Sequence, residues 1–130
     1  MSEPEFGVRS GTYLESDRQT RKKSSVRDRR YSIRYPFAAD AEMLELESRS
    51  RARGVTSDLS LGGCFVCARC TLDIYARVRG TLTHGNKKVR MLAVVRVVIP
   101  RVGMGLEFLD TDPDSNATLL PWIENLRKLR

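Results

Sequence analysis

Apolar and polar residues alternate along much of the chain after Gly54, as they do in β-strands that bury one face. The longest alternating run is KKVRMLAVVRVVI, in which every second residue from Val89 to Ile99 is apolar. The run RVRGTLTHG precedes it, and the turn HGNK between the two predicts a hairpin because Gly and Asn tolerate positive φ. Pro100 ends the long strand, and GMGLEFL predicts one more strand after a turn.

Two shorter strands are predicted before this hairpin. GVTSDLS is a strand that runs into a polar turn, and GGCFVCA is a strand that begins at two glycines. Several short antiparallel strands with regular turns, followed by a single helix, are typical of a small β-barrel.

The pattern changes from strand to helix in TDPDSNATLLPWIENLRKLR. Asp112 is a candidate N-cap followed by Pro113, and the residues that suit one apolar helix face are Leu119, Trp122, Ile123 and Leu126. Pro121 falls inside this helix and is expected to kink or restart it.

The segment FAADAEMLELESRSRAR, which begins at Phe37, is consistent with two structures. Its Ala, Glu, Leu, Met and Arg are strong helix formers, whereas Glu42 to Glu47 largely alternate between polar and apolar, as in a half-buried strand. The residues alone leave this choice open. Residues 1–26 are polar without an apolar period, and we predict a disordered or flexible tail there.

Charge is concentrated in one short segment of the 130-residue chain. Eight basic residues and one acidic residue lie between Arg18 and Arg34, a net charge of +7 that equals the formal charge of the whole chain. This favours a local anionic partner over a generally cationic surface. No apolar run approaches the length of a membrane span, and the first residues lack the order of a secretory signal. We therefore expect a cytoplasmic protein without membrane insertion.

The three cysteines, Cys64, Cys67 and Cys70, have a spacing that occurs in zinc sites. In a β-strand, however, residues three apart point to opposite faces, and no second cysteine pair completes a four-ligand shell. His84, the single histidine, has no partner at ligand spacing. We therefore predict structural thiols, with no metal and no cofactor.

Two short motifs could carry binding chemistry. R-x3-R falls on Arg30 and Arg34, but such a pattern is common in a chain rich in arginine. D-x-S-x-x-G falls on Asp58, Ser60 and Gly63, yet these residue types are also ordinary in polar turns. Each motif alone is weak evidence of function.

The order of the two motifs is more informative than either alone. RRYSIRYP, from Arg29 to Pro36, precedes DLSLGG by about one strand's length of chain, and a strand beginning GMGLEF follows later. This ordered set resembles the PilZ domain, a bacterial receptor family for cyclic di-GMP. The resemblance extends over about residues 29–109, and the ligand-binding residues that it implies are Arg29, Arg30, Arg34, Asp58, Ser60, Gly62 and Gly63.

Cyclic di-GMP is flat, anionic and rich in hydrogen-bond acceptors, which suits these residue types. A guanidinium can donate two parallel hydrogen bonds to guanine O6 and N7, or to a phosphate, and lysine cannot. Asp58 can accept from guanine N1–H and the N2 amino group, and Ser60 can donate and accept. Gly62 and Gly63 would remove side chains where ligand and backbone approach closely. The resemblance implies that Arg29 adds a stacking or phosphate contact.

The resemblance also implies a fold: a small six-stranded antiparallel β-barrel at about residues 35–110, with a C-terminal α-helix at about residues 113–129. This PilZ-like domain would span residues 27–130 and carry a flexible basic N-terminal arm. The first strand of such a barrel follows R-x3-R, so we expect a strand from about Phe37 to Glu47.

We expect a stand-alone receptor or adaptor rather than an enzyme, because the sequence shows no catalytic set and no phosphate-binding glycine loop. The expected action is ligand-driven ordering of the segment from Arg18 to Arg34, which then presents a surface to a protein partner. Two alternatives stay open. One is a small basic barrel that binds single-stranded nucleic acid, and the other is a PilZ-like protein-interaction module that binds no nucleotide.

Overall fold

The computed structural model describes residues 33–129, which form seven strands and one helix. The strands are β1 (Tyr35–Pro36), β2 (Asp40–Glu45), β3 (Arg51–Leu59), β4 (Gly63–Cys67), β5 (Arg77–His84), β6 (Lys87–Ile99) and β7 (Gly103–Thr111), and the helix is α1 (Pro113–Lys128). The predicted tail, residues 1–26, lies outside the described residues.

Six of these strands close into an antiparallel barrel. Neighbouring strands follow the order β3-β2-β5-β6-β7-β4, and β4 pairs with β3 to complete the ring. The short strand β1 is additional, and it pairs with β3 beyond the end of the β2 pairing. The predicted six-stranded barrel with a C-terminal helix is therefore confirmed.

The ambiguous segment after Phe37 contains a strand rather than a helix, as expected. β2 buries Ala41 and Met43 and exposes Asp40 and Glu42, which follows the alternation in the sequence. It pairs with β3 on one side and with β5 on the other. Pairing on both edges and burial of one face outweigh the helix propensity of its Ala, Glu and Met residues.

The chain between β1 and β2 is fixed by side chains from three other elements. The buried hydroxyl of Thr56 accepts a hydrogen bond from the N–H of Ala39 (2.8 Å) and donates one to the carbonyl of Phe37 (2.5 Å). The ring of Phe37 packs against His84 and Trp122, at centroid distances of 4.5 and 5.1 Å. His84 thus has a packing role that links β5 to the helix.

The β5–β6 hairpin forms at the predicted turn, with His84 opposite Lys87 and Gly85 at a φ of 63°. Beyond it, the alternation of β6 reverses at Arg96, where the register with β7 shifts by one residue. Val97 is 47% exposed and Ile99 is 44% exposed. The expectation that these two residues continue the buried face was wrong, because a bulge reverses the side-chain alternation without changing the residue pattern.

Helix α1 begins at the predicted N-cap. The Asp112 carboxylate accepts a hydrogen bond from the N–H of Ser115 at 2.7 Å, and this bond lowers the pKa of Asp112 below its ordinary value. The buried hydroxyl of Ser115 accepts a hydrogen bond from the N–H of Arg90 at 2.6 Å. The first turn of the helix is thereby attached to β6.

Leu119 and Ile123 of the helix are buried against the barrel, as predicted. The helix continues through Pro121 without restarting. It is neither long nor apolar enough to cross a membrane, and no other helix occurs in residues 33–129. Tyr35 is also buried in the core, in agreement with a packing role for this aromatic residue.

Candidate functional site

Arg34 of the first motif and Asp58 of the second meet on the outer surface of β3. β1 pairs with the end of β3, with Tyr35 opposite Leu59 and Pro36 opposite Asp58. Arg34 directly precedes β1, and its Nη1 lies 2.5 Å from Oδ1 of Asp58 although the two residues are 24 positions apart. The Arg34 side chain is 49% exposed and that of Asp58 is 27% exposed, so this ion pair faces solvent.

Asp58 points outward because β3 contains a bulge. Ala52 and Thr56 face the interior, and a regular strand would place Asp58 on the same buried face. The register with β4 shifts between Thr56 and Asp58, so Ser57 is an extra residue and the alternation reverses. Leu59 is buried instead, and Oδ2 of Asp58 accepts a hydrogen bond from the Ser57 hydroxyl at 3.1 Å.

The turn after β3 is built around Ser60, which is 2% exposed. Its backbone N–H donates to the carbonyl of Gly63 at 2.8 Å, and its hydroxyl donates to the same oxygen at 3.2 Å. The hydroxyl also accepts from the N–H of Gly62 at 3.2 Å. Ser60 therefore shapes the turn from inside, and direct contact between its hydroxyl and a ligand stays a prediction.

Gly62 and Gly63, at the end of DLSLGG, both contact β7. Gly63 lies opposite Glu107, and a Cβ atom at Gly63 would overlap the carbonyl oxygen of Leu106. The carbonyl of Gly62 accepts a hydrogen bond from the N–H of Phe108 at 2.8 Å. Close approach of backbone to backbone therefore requires glycine at Gly63, a reason separate from the approach of a ligand.

Cys64 lies directly behind the ion pair, buried and opposite Leu59. The pKa of its thiol is raised to about 12, chiefly by burial and also by the Asp58 carboxylate, while the Arg34 guanidinium acts to lower it. The thiol is thus neutral at physiological pH. This agrees with the predicted structural role of Cys64.

The other two cysteines, Cys67 and Cys70, are exposed free thiols at the far end of β4. Among residues 33–129, no group of three or more His, Cys, Asp or Glu side chains is placed to hold a metal ion.

One further ion pair lies beside the turn and was not identified from the motifs. Arg96, at the bulge of β6, donates from Nε to Oε1 of Glu107 at 2.5 Å, and both side chains are about half exposed. Glu107 is the residue opposite Gly63. The sequence did contain a sign of this ion pair, because Arg96 is the one charged residue inside the apolar half of the longest strand.

The structure therefore brings together five of the seven residues predicted to bind the ligand, which are Arg34, Asp58, Ser60, Gly62 and Gly63. Their contacts divide them into an exposed ion pair and a buried, hydrogen-bonded turn. The other two predicted residues, Arg29 and Arg30, lie outside the described residues.

Comparison with known proteins identifies the same fold. The family model described as PilZ domain matches residues 28–125. No curated protein matches the chain at a significant level.

Several solved structures share the barrel. The PilZ domain of CeSA from a cellulose-synthesizing bacterium has a TM-score of 0.57 and 19% identity, and the match covers 74% of this chain and 99% of that one. The Bacillus subtilis inhibitor of motility, MotI/DgrA, has a TM-score of 0.60 and 18% identity, with coverage of 75% and 50%. The PilZ domain of Escherichia coli YcgR, solved with c-di-GMP, has a TM-score of 0.57 and 19% identity, with coverage of 74% and 89%.

Proposed function

Because this chain belongs to the PilZ domain family, a family of cyclic di-GMP receptors, we propose that it binds cyclic di-GMP at the two motifs. The observation that supports this proposal is the contact between Arg34, of the first motif, and Asp58, of the second, on the barrel surface. A donor fork and a carboxylate acceptor side by side are the groups that a guanine edge requires.

In this proposal each member of the pair recognises a different part of the ligand. Asp58 accepts from guanine N1–H and the N2 amino group, which a guanidinium cannot serve because it only donates. Arg34 donates to guanine O6 and N7 or to a phosphate oxygen. Arg29 and Arg30 supply further guanidinium groups for the phosphates and for stacking on a base.

The ion pair is easily exchanged for ligand contacts. A solvated pair of this kind contributes about 0–1 kcal/mol to stability, so separating Arg34 from Asp58 requires little free energy. The ligand then offers each group two parallel charge-assisted hydrogen bonds in place of the single one that joins them. The bulge at Ser57 and the turn at Ser60 to Gly63 hold the Asp58 backbone in place while Arg34 changes partners.

We further propose that the protein acts as a cytoplasmic adaptor. Ligand binding would order the basic segment before Ile33 against the barrel, and a protein partner would read the new surface. Ordering costs about 1 kcal/mol for each residue fixed, so contacts from several arginines are needed to drive it.

Calorimetric titration with cyclic di-GMP, GTP and a short single-stranded oligonucleotide tests this function. We expect tight binding of cyclic di-GMP alone, and loss of that binding in Arg30→Ala and Arg34→Ala. Arg53→Ala is the matched control. Arg53 also belongs to an R-x3-R pattern, but it lies on another part of β3 and forms an ion pair with Glu42 of β2. Binding of the oligonucleotide alone, with steep salt dependence, would indicate a nucleic-acid-binding barrel instead. Binding of none of the three would indicate a protein-interaction module.

A further inference from the structure

The barrel wall centred on β2 and β5 carries exposed arginines that the nucleotide proposal does not use. In the strand order β3-β2-β5-β6-β7-β4, β5 lies three strands from β4 in either direction around the ring. This wall is therefore on the side of the barrel opposite the strand that begins at Gly63. Arg51 and Asp58 lie near opposite ends of β3, about 23 Å apart along the strand, so a ligand held by Arg34 and Asp58 would not cover this wall.

On three neighbouring strands, one leucine lies between two arginines. Leu44 of β2 is opposite Arg51 of β3 and also opposite Arg79 of β5, and Arg79 is opposite Leu92 of β6. Adjacent strands lie about 4.8 Å apart, so Arg51 and Arg79 are separated by about 10 Å across Leu44. We call these four residues the arginine row.

Both arginines of the row are exposed, and both leucines are half-buried. Arg77 adds a third guanidinium on the same face of β5, two residues from Arg79. Within residues 33–129, none of these three arginines forms an ion pair, whereas Arg53 in the next row pairs with Glu42 at 3.2 Å. The row thus offers unpaired donors around apolar surface.

Beside Arg79 the wall forms a groove of about 520 Å³. Arg79, Arg90 and Leu92 line it together with Asp110 and Asp112. Asp110 lies opposite Leu92 on β7, so a carboxylate bounds the arginine row on that side.

We propose that the arginine row is a docking surface for an acidic segment of a partner protein. Carboxylates of the segment form bidentate pairs with Arg51 and Arg79, and its apolar side chains pack on Leu44 and Leu92. Guanidinium groups alternate with leucines along the row. A segment of alternating acidic and apolar residues suits this row, because each acidic side chain meets a guanidinium and each apolar side chain meets a leucine.

The same residues argue against nucleic acid as the occupant. Strands β2, β3, β5 and β6 contain no Phe, Tyr or Trp, so the wall has no aromatic platform on which bases could stack.

A peptide-binding experiment on the full chain tests the docking surface. Fluorescence anisotropy is measured with a short labelled peptide of alternating Glu and Leu, with the matched Gln and Leu peptide, and with a single-stranded oligonucleotide. The variant Arg51→Glu/Arg79→Glu is compared with Arg69→Glu/Arg101→Glu, which reverses the same number of charges on exposed turns away from the row. Thermal unfolding of each variant confirms that it is folded.

We expect the Glu–Leu peptide to bind the wild type and the Arg69/Arg101 variant equally, and to bind the Arg51/Arg79 variant about tenfold or more weakly. The Gln–Leu peptide should bind none of them. Equal weakening in both variants, or no weakening in either, overturns the proposal. So does preferential binding of the oligonucleotide, or a dimer in sedimentation that only the Arg51/Arg79 changes disrupt. Cyclic di-GMP binding by the Arg51/Arg79 variant should be unchanged. The docking proposal and the nucleotide proposal can therefore fail independently of each other.

Discussion

The two parts of the candidate site are neighbours in space but differ in how they are held. Arg34 and Asp58 form a solvated ion pair on the barrel surface. Ser60 and Gly63 are buried, and they are tied to each other and to β7 by backbone hydrogen bonds and close backbone contact. One short motif therefore contains a side chain free to change partners and residues that cannot move without opening the barrel.

This difference separates recognition from support. An exposed pair contributes little to stability, so its residues are available for ligand chemistry. The turn contributes mainly by fixing where the Asp58 backbone lies, which is what preorganises a binding site. If this division is right, changes in the turn should alter stability first, and changes in the pair should alter binding first.

The largest effect is expected at Gly63. A methyl group there meets the carbonyl oxygen of Leu106, so Gly63→Ala should lower the free energy of unfolding by about 3 kcal/mol or more, or prevent folding. Urea denaturation measures the loss. Gly85→Ala is the control, because a Cβ at Gly85 meets nothing and only its positive φ is strained, at about 1–2 kcal/mol. Equal losses in the two variants would mean that close packing at Gly63 is unimportant.

A smaller effect is expected at Ser60. Ser60→Ala leaves the N–H of Gly62 without its acceptor, which should cost about 1–3 kcal/mol of stability. Ser57→Ala removes an exposed hydroxyl from the same segment and should change stability by less than about 0.5 kcal/mol. A Ser60→Ala protein that keeps full stability but loses cyclic di-GMP binding would show instead that the hydroxyl contacts the ligand.

Changes in the ion pair should affect ligand binding more than stability, the reverse of changes in the turn. Arg34→Ala and Asp58→Ala should each change the free energy of unfolding by less than about 1 kcal/mol. Asp58→Ala should weaken cyclic di-GMP binding by about 1–3 kcal/mol through loss of the guanine-edge contact. Asp58→Asn, which keeps one acceptor oxygen, should retain more affinity than Asp58→Ala. Marked unfolding of either alanine variant would show that the ion pair is needed for stability, as the turn is, and would contradict the proposed difference between them.

The smallest effect is expected at Cys64, where only alkaline pH should matter. The folded pKa is raised from 9.0 to about 12, so the stability that the neutral thiol contributes is complete below pH 9 and is lost as pH rises towards 12. Cys64→Ala should remove that part of the alkaline loss. With a thiol reagent at pH 8, exposed Cys67 and Cys70 should react rapidly in the folded protein. Cys64 should react only on unfolding, and rapid labelling of all three would show that the turn above it opens readily.

Much of the fold could be predicted from the sequence because its signals are local. The hairpin at Gly85, the N-cap at Asp112 and the buried face of β2 all depend on residues close together in the chain. The choice between helix and strand for β2 was different. Local propensity favoured a helix and the alternation favoured a strand, and the resemblance to a barrel family decided for the strand that pairing with β3 and β5 stabilises.

The bulges at Ser57 and Arg96 could not be predicted in this way. Each one reverses the alternation of its strand, and the reversal depends on the register of a partner strand far away in the sequence. One bulge turns Asp58 out to meet Arg34, and the other exposes Val97 and Ile99. The arginine row has the same origin, since Arg51, Leu44 and Arg79 come together only through strand pairing.

The amino-acid sequence by itself determined the barrel family, the strand and helix signals and the identity of the two motifs, because order, spacing and periodicity are properties of the chain. Tertiary structure decided which motif residues face solvent and which support the turn, because burial and strand register depend on partners distant in the sequence. Asp58 shows the distinction most clearly: its residue type was evident from the motif, and its outward direction follows from one extra residue opposite β4.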